Sequence, residues 1–121
     1  VLYTKDALDT KTQLDALSAA VDSGQYTILL AHRPERIDMY RQYPFDLILA
    51  GHAHGGQWRL PAIVNGVFAP DQGLFPGYAG GIYRLPDTIM VVSRGLAIES
   101  TRVPRIFNPP ELVIVTLAPL S

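Results

Sequence analysis

The chain has 121 residues, of which 48% are hydrophobic and 17% charged, with ten glycines and ten prolines. This composition is typical of one globular domain with many turns and excludes a disordered chain. A formal net charge of −1 and a pI near 6.3 exclude a general positive field for polyanions, so no nucleic-acid partner is expected. The absence of cysteine excludes disulfides and thiolate ligands, and any metal would be held by His, Asp, Glu or Asn.

The first half of the chain alternates helical and strand patterns. Residues 9–23 carry apolar side chains at helical spacing and predict a surface helix that ends before Gly24. Two short apolar runs, residues 26–31 and 45–50, predict strands buried on both faces of a sheet. Residues 36–43 between them predict a short helix. This order predicts αβ units with parallel strand pairing, and therefore an α/β fold.

The second half is rich in turn signals. Prolines and glycines interrupt every long pattern after Gln57 and exclude helices there. Residues 81–85 and 88–93 flank a Pro-Asp pair and predict a β-hairpin. Residues 112–117 follow two consecutive prolines and predict a final strand.

Neither a membrane span nor a natural start is evident. The longest apolar stretch, residues 112–120, is about half of the ~18–20 residues that a span needs. The chain starts with Val1 in place of an initiating Met and shows no charged leader followed by an apolar core. We therefore expect a chain cut from a longer protein.

All three histidines of the chain follow the two predicted parallel strands. His32 comes after the first strand, and His52 and His54 come after the second, between glycines. Because the carboxyl ends of parallel strands meet at one sheet edge, where ligands collect, we expect the three side chains to face a common space. Residues at i and i+2 in extended backbone project to the same side. The spacing allows one metal to be chelated or two metals at about 3.5–4 Å to be bound.

No carboxylate accompanies these histidines at a suitable place. Glu35 and Asp38 follow His32 but lie in or near the start of a predicted helix, where the helix dipole favours acidic residues, so both are interpreted as structural. Binuclear sites usually need a bridging carboxylate to compensate the charge of the metals. The chain alone is therefore expected to bind divalent metal weakly or not at all.

Two segments carry a family resemblance. Residues 29–35 (LLAHRPE) and 45–57 (FDLILAGHAHGGQ) resemble the C-terminal motifs of the calcineurin-like metallophosphoesterases. Further segments, among them residues 80–83 and 92–96, resemble the tail of a bacterial branch that includes membrane-associated phosphohydrolases. The resemblance implies an αββα sandwich with mixed β-sheets and flanking helices. Residues 1–121 would be the C-terminal part of that metallophosphoesterase domain, and its N-terminal half would be absent.

The resemblance also implies a reaction and a set of ligands. The parent protein would hydrolyse phosphomonoesters, phosphodiesters or pyrophosphates by a metal-bridged hydroxide, with two divalent ions of manganese, zinc or iron. His32 and His52 would bind one metal and His54 the other. The residues that could contact the substrate lie beside these histidines in the sequence: Arg33, Gly55, Gly56 and Arg59.

Several family motifs do not occur in this chain. The Asp-x-His, Gly-Asp and Gly-Asn-His motifs, which would supply the bridging carboxylate and the His that assists the leaving group, are missing. The fragment is therefore expected to be inactive alone, to hold no catalytic residue beyond its metal ligands, and to bind divalent metal weakly or not at all without its other half.

Two other functions are compatible with the sequence, and a set of partners is expected. The chain could be a degenerate, non-catalytic phosphoesterase module, or a mononuclear zinc hydrolase with three His ligands and an open water position. Expected partners are a phosphorylated small-molecule or lipid-linked substrate and the missing N-terminal half. Self-association or an exposed apolar face is also expected, because a sheet cut from its partner leaves apolar surface in water. A membrane-associated and a cytoplasmic parent are both compatible with the sequence.

Overall fold

The structure, a computed structural model, describes residues 2–52, 68–69, 73–74, 77–96 and 106–119, with side chains for residues 9–52, 77–96 and 106–119. Its helices are α1 (Leu2–Ala19), a short 3-10 helix (Pro34–Arg36) and α2 (Ile37–Tyr40). Its strands are β1 (Ile28–Ala31), β2 (Leu47–Ala50), β3 (Phe68–Ala69), β4 (Gly73–Leu74), β5 (Gly81–Arg84) and β6 (Ile89–Val92).

Four of these strands form one mixed sheet. Its order is β1-β2-β6-β5, in which β1 and β6 pair parallel to β2, while β5 pairs antiparallel to β6. Strands β3 and β4 form a separate antiparallel pair. The predicted α/β class with mixed sheets and flanking helices is confirmed. The predicted parallel pairing of the first two strands and the hairpin around Pro86-Asp87 are confirmed as well.

One face of the sheet carries the core. Leu29, Ile48 and Met90 lie opposite each other in register on three neighbouring strands, and all three side chains are buried. Leu14 of α1 and Tyr40 of α2 belong to the same buried cluster. Because side chains alternate between the two faces of a strand, both helices cover the face to which these residues point.

The opposite face is partly uncovered. Leu30, Leu49, Val91 and Ile82 form a row across the sheet in register. The two members on the edge strands, Leu30 and Ile82, are 77% and 63% exposed, whereas Val91 near the centre is buried. The prediction that both apolar runs form strands buried on both faces is therefore wrong for β1, because as an edge strand it leaves Leu30 exposed on this face.

The helix boundaries differ from the sequence-based prediction. Helix α1 begins at Leu2 and ends at Ala19, so it lies earlier than the predicted residues 9–23. The side chain of Asp22 accepts a hydrogen bond of 3.0 Å from the backbone N–H of Gly24. This bond stabilises a turn where the helix was expected to continue. The predicted helix 36–43 is shorter and ends at Tyr40. No helix in the part of the chain that the structure describes is long and apolar enough to cross a membrane.

The prediction of a strand at residues 112–117 is wrong. This segment has no regular secondary structure, and Leu112, Ile114 and Leu117 are 71%, 82% and 57% exposed. A hydrogen bond of 3.0 Å from the Glu111 N–H to the Gly95 carbonyl attaches it to the main body. The segment has strand-forming residues but pairs with no neighbouring strand among the described residues, and a strand requires a ladder of backbone hydrogen bonds.

Candidate metal centre

His32 and His52 meet at one edge of the sheet. Ala31 ends β1 and lies opposite Ala50, which ends the parallel strand β2. Because the two strands run in the same direction and in register, the residues that follow them leave the sheet at the same edge. The centroids of the two imidazole rings are 4.2 Å apart, with the ring planes tilted by 47°.

The backbone of His52 has an unusual conformation. Its φ is +68°, in the left-handed region that residues other than glycine rarely adopt. Gly51 before it has open space where a Cβ would be. Such a conformation is unfavourable for an L-residue and tends to cluster at functional sites, although Phe107, distant from the histidines in the sequence, also has a positive φ, of +52°. The turn directs the chain so that the His52 ring packs against the His32 ring.

Both imidazoles are accessible from solvent. His32 is exposed and His52 is half-buried. Imidazole nitrogens are good ligands for zinc, manganese and iron, so this pair fits one face of a metal site. No group of three potential ligands that could hold a metal ion by itself is present among the residues that the structure describes. The remaining ligands of a metal would have to come from elsewhere.

Arg33 is held next to His32. Its backbone carbonyl accepts a hydrogen bond of 2.9 Å from the hydroxyl of Tyr40, whose pKa is raised by burial. Its Nε atom lies 4.0 Å from Oε1 of Glu35, which is an ion pair too long for a hydrogen bond. The backbone of the predicted phosphate-contacting arginine is therefore held by Tyr40, and its guanidinium group lies near the Glu35 carboxylate.

Glu35 has an environment that its sequence position does not indicate. This residue lies in the 3-10 helix, and both of its carboxylate oxygens are buried without a hydrogen bond in the described structure. Buried carboxylates usually have hydrogen-bond partners, and the charged group near Glu35 that the structure shows is Arg33, whose Nε lies 4.0 Å from Oε1.

The other predicted site residues are not in the described part of the chain. His54, Gly55, Gly56 and Arg59 lie outside the described residues. The structure therefore brings together His32, His52 and Arg33 from the predicted set and leaves the remaining four as predictions.

Comparison with known proteins gives the family. No protein-family model and no solved structure matches the chain. The metallophosphoesterase YkuE of Bacillus subtilis is 38% identical over 93 residues, which are 76% of this chain and 31% of that protein. The UDP-2,3-diacylglucosamine pyrophosphatase LpxG of Chlamydia muridarum is 34% identical over 93 residues, 73% of this chain and 28% of that protein.

The alignment with a third relative covers fewer residues. The phosphodiesterase YaeI of Escherichia coli is 36% identical over 69 residues, 57% of this chain and 24% of that protein. The chain spans about a third or less of the length of these curated relatives. Several bacterial relatives named as metallophosphoesterases or as a pyrophosphatase align with most of this chain. In this chain, two parallel strands are followed by histidines whose rings are in contact. The chain belongs to the metallophosphoesterase superfamily.

Proposed function

We propose that this chain supplies the histidine side of the metal site in a metal-dependent phosphoester hydrolase, and that residues 1–121 are the C-terminal part of its domain. The observation that carries the proposal is the contact of the His32 and His52 rings, with centroids 4.2 Å apart, at the carboxyl edge of two parallel strands. Ligands in open α/β sheets collect at this edge. Membership of the metallophosphoesterase superfamily supports metal-dependent phosphoester hydrolysis as the reaction.

The donor set fits one side of a divalent metal site. His32 and His52 offer imidazole nitrogens from two different strands, and His54, two residues after His52, is proposed as the third ligand. A divalent metal bound there would polarise a phosphoryl group and make water a better nucleophile. Carboxylate ligands are proposed to come from the N-terminal half, so the chain is expected to be inactive alone.

Arg33 has the chemistry to bind the substrate phosphate. It follows His32 directly, and an arginine guanidinium can donate two parallel hydrogen bonds to phosphate oxygens. The contacts of its carbonyl with Tyr40 and of its Nε with Glu35 restrict its movement, which lowers the entropic cost of binding. Gly55, Gly56 and Arg59 are proposed to complete the phosphate site.

The substrate class is proposed from the site and one relative. Two imidazoles and an arginine suit a phosphate ester or a pyrophosphate. The relative LpxG is named as a pyrophosphatase of an acylated nucleotide sugar. We therefore propose a phosphorylated small molecule or a lipid-linked phosphate as the substrate of the whole protein.

Histidine variants of the full-length protein test this function. His32→Gln and His52→Gln are each expected to reduce bound manganese and to lower hydrolysis of bis(p-nitrophenyl) phosphate by at least about 100-fold, because a lost ligand weakens the metal site more than a lost outer partner does. Arg84→Gln is the control, since the exposed Arg84 lies opposite Ile89 at the other edge of the sheet.

Two results would contradict the proposal. Full metal content and activity in both histidine variants would show that the pair does not bind the catalytic metal. One tightly bound zinc ion on residues 1–121 alone, lost in either variant, would instead favour the mononuclear three-histidine site.

A further inference from the structure

His32 lies in a very short connection between two elements. Strand β1 ends at Ala31 and the 3-10 helix begins at Pro34, so only His32 and Arg33 lie between them. Ala31 is held by its parallel pairing with Ala50, and the side chain of Pro34 is fully buried. A connection this short has few conformations once both of its ends are fixed. The position of the His32 ring therefore depends on how firmly the two ends are held.

Tyr40 holds the second end of this connection. It is the last residue of α2, its side chain is only 5% exposed, and it belongs to the buried core cluster. Its hydroxyl donates a hydrogen bond of 2.9 Å to the backbone carbonyl of Arg33. Burial raises the pKa of Tyr40 above its ordinary value, so the hydroxyl stays protonated and donates this bond at neutral pH. The bond links the core to the connection that carries His32.

The His32 ring must also match the position of its neighbour. The centroids of the His32 and His52 rings lie 4.2 Å apart, so the two rings are in contact. Ligand atoms have to meet a metal within about 0.2 Å of the ideal distance, and a small displacement of one ring therefore weakens binding. Groups outside the ligand set that orient a metal-binding histidine contribute about 10–100-fold to metal affinity.

We propose that Tyr40 is a positioning residue of the candidate metal centre: its hydrogen bond to the Arg33 carbonyl holds the connection in the conformation that places His32 beside His52 for metal binding. This assignment rests on the proposed function, in which the two histidines bind the metal. Tyr40 acts through the backbone next to His32 and is not itself a ligand. The strength of metal binding, and not only the contact of Arg33 with phosphate, therefore depends on it.

Tyr40→Phe in the full-length protein tests the assignment, because it removes the hydroxyl and keeps the buried ring. Manganese binding, followed by electron paramagnetic resonance, is expected to weaken about tenfold. This value is at the lower end of the range for outer groups, since Tyr40 contacts the backbone and not the imidazole. Tyr43→Phe is the matched control. It removes the hydroxyl of a second tyrosine, which bonds to Asp15 on α1, and is expected to leave manganese affinity unchanged.

The His32→Gln background separates positioning from a general loss of stability. If Tyr40 acts through His32, Tyr40→Phe weakens manganese binding no further in a protein that already carries His32→Gln, because the two changes are coupled. A further loss of about tenfold in that background would show that Tyr40 acts on the whole fold and would overturn the assignment. Wild-type affinity in Tyr40→Phe alone would overturn it as well. Wild-type manganese affinity in His32→Gln would instead overturn the proposed function, and the positioning role with it.

Discussion

The left-handed backbone of His52 should make this residue costly for stability. Replacing it by glycine removes the side chain and the backbone strain, whereas replacing it by alanine removes the side chain and keeps the strain. The two variants lose the same ring contact with His32. Their difference in the free energy of unfolding therefore measures the backbone strain caused by the φ of +68°.

The magnitude follows from backbone energetics. An L-residue in the left-handed region costs roughly 1–2 kcal/mol relative to glycine, and glycine loses about 0.5–1 kcal/mol more conformational entropy on folding than alanine does. We expect the metal-free His52→Gly variant to be about 0.75 kcal/mol more stable than His52→Ala, the centre of a range of roughly 0–1.5 kcal/mol. With a urea slope of about 2 kcal/mol/M, the central value corresponds to a midpoint shift of about 0.4 M.

Urea unfolding with and without metal tests both parts of the reasoning. In the absence of metal, a His52→Gly variant that is no more stable than His52→Ala would refute the assignment of strain to this position. With metal at about 100 times its dissociation constant, the full-length wild type should gain about 2.7 kcal/mol, and both full-length variants should gain much less. Equal gains in all three proteins would show that His52 is not a ligand.

Two further predictions concern polar contacts away from the metal centre. Arg94 and Glu111 pair at 2.7 Å with side chains 19% and 28% exposed, so Glu111→Gln should lower the free energy of unfolding by about 1–2 kcal/mol. Lys11→Met breaks the exposed ion pair with Asp15 and should lower the free energy of unfolding much less. Equal losses of stability for Glu111→Gln and Lys11→Met in urea unfolding would contradict this prediction. The hydrogen bond from Tyr43 and then the contact with Lys11 lower the pKa of Asp15. The stability from Asp15 is therefore present above its unfolded pKa and is lost as pH falls through the lower folded pKa. Tyr43→Phe should raise the pKa of Asp15 toward its ordinary value in an NMR titration, and an unchanged titration would exclude the hydrogen bond as the cause.

The sequence by itself determined the parallel strands and the place of the histidines. The apolar runs 26–31 and 45–50 are bounded by turn residues, and this local pattern was sufficient to predict the strands Ile28–Ala31 and Leu47–Ala50. It did not determine their burial, because Leu30 in the first strand is 77% exposed. His32 follows the first run directly, and His52 follows the second after Gly51. Once the strands pair in parallel, their following residues must leave at one edge, so the pairing of the two imidazoles was predictable.

Only the tertiary structure decided which segments found partners. Residues 112–117 carry the same strand-forming residue types as β6, yet β6 pairs with β2 and β5 while residues 112–117 form no strand. The left-handed turn at His52 was equally absent from the sequence pattern. The physical reason is that a strand and a strained turn depend on backbone partners and packing from distant residues, which local residue preferences do not contain.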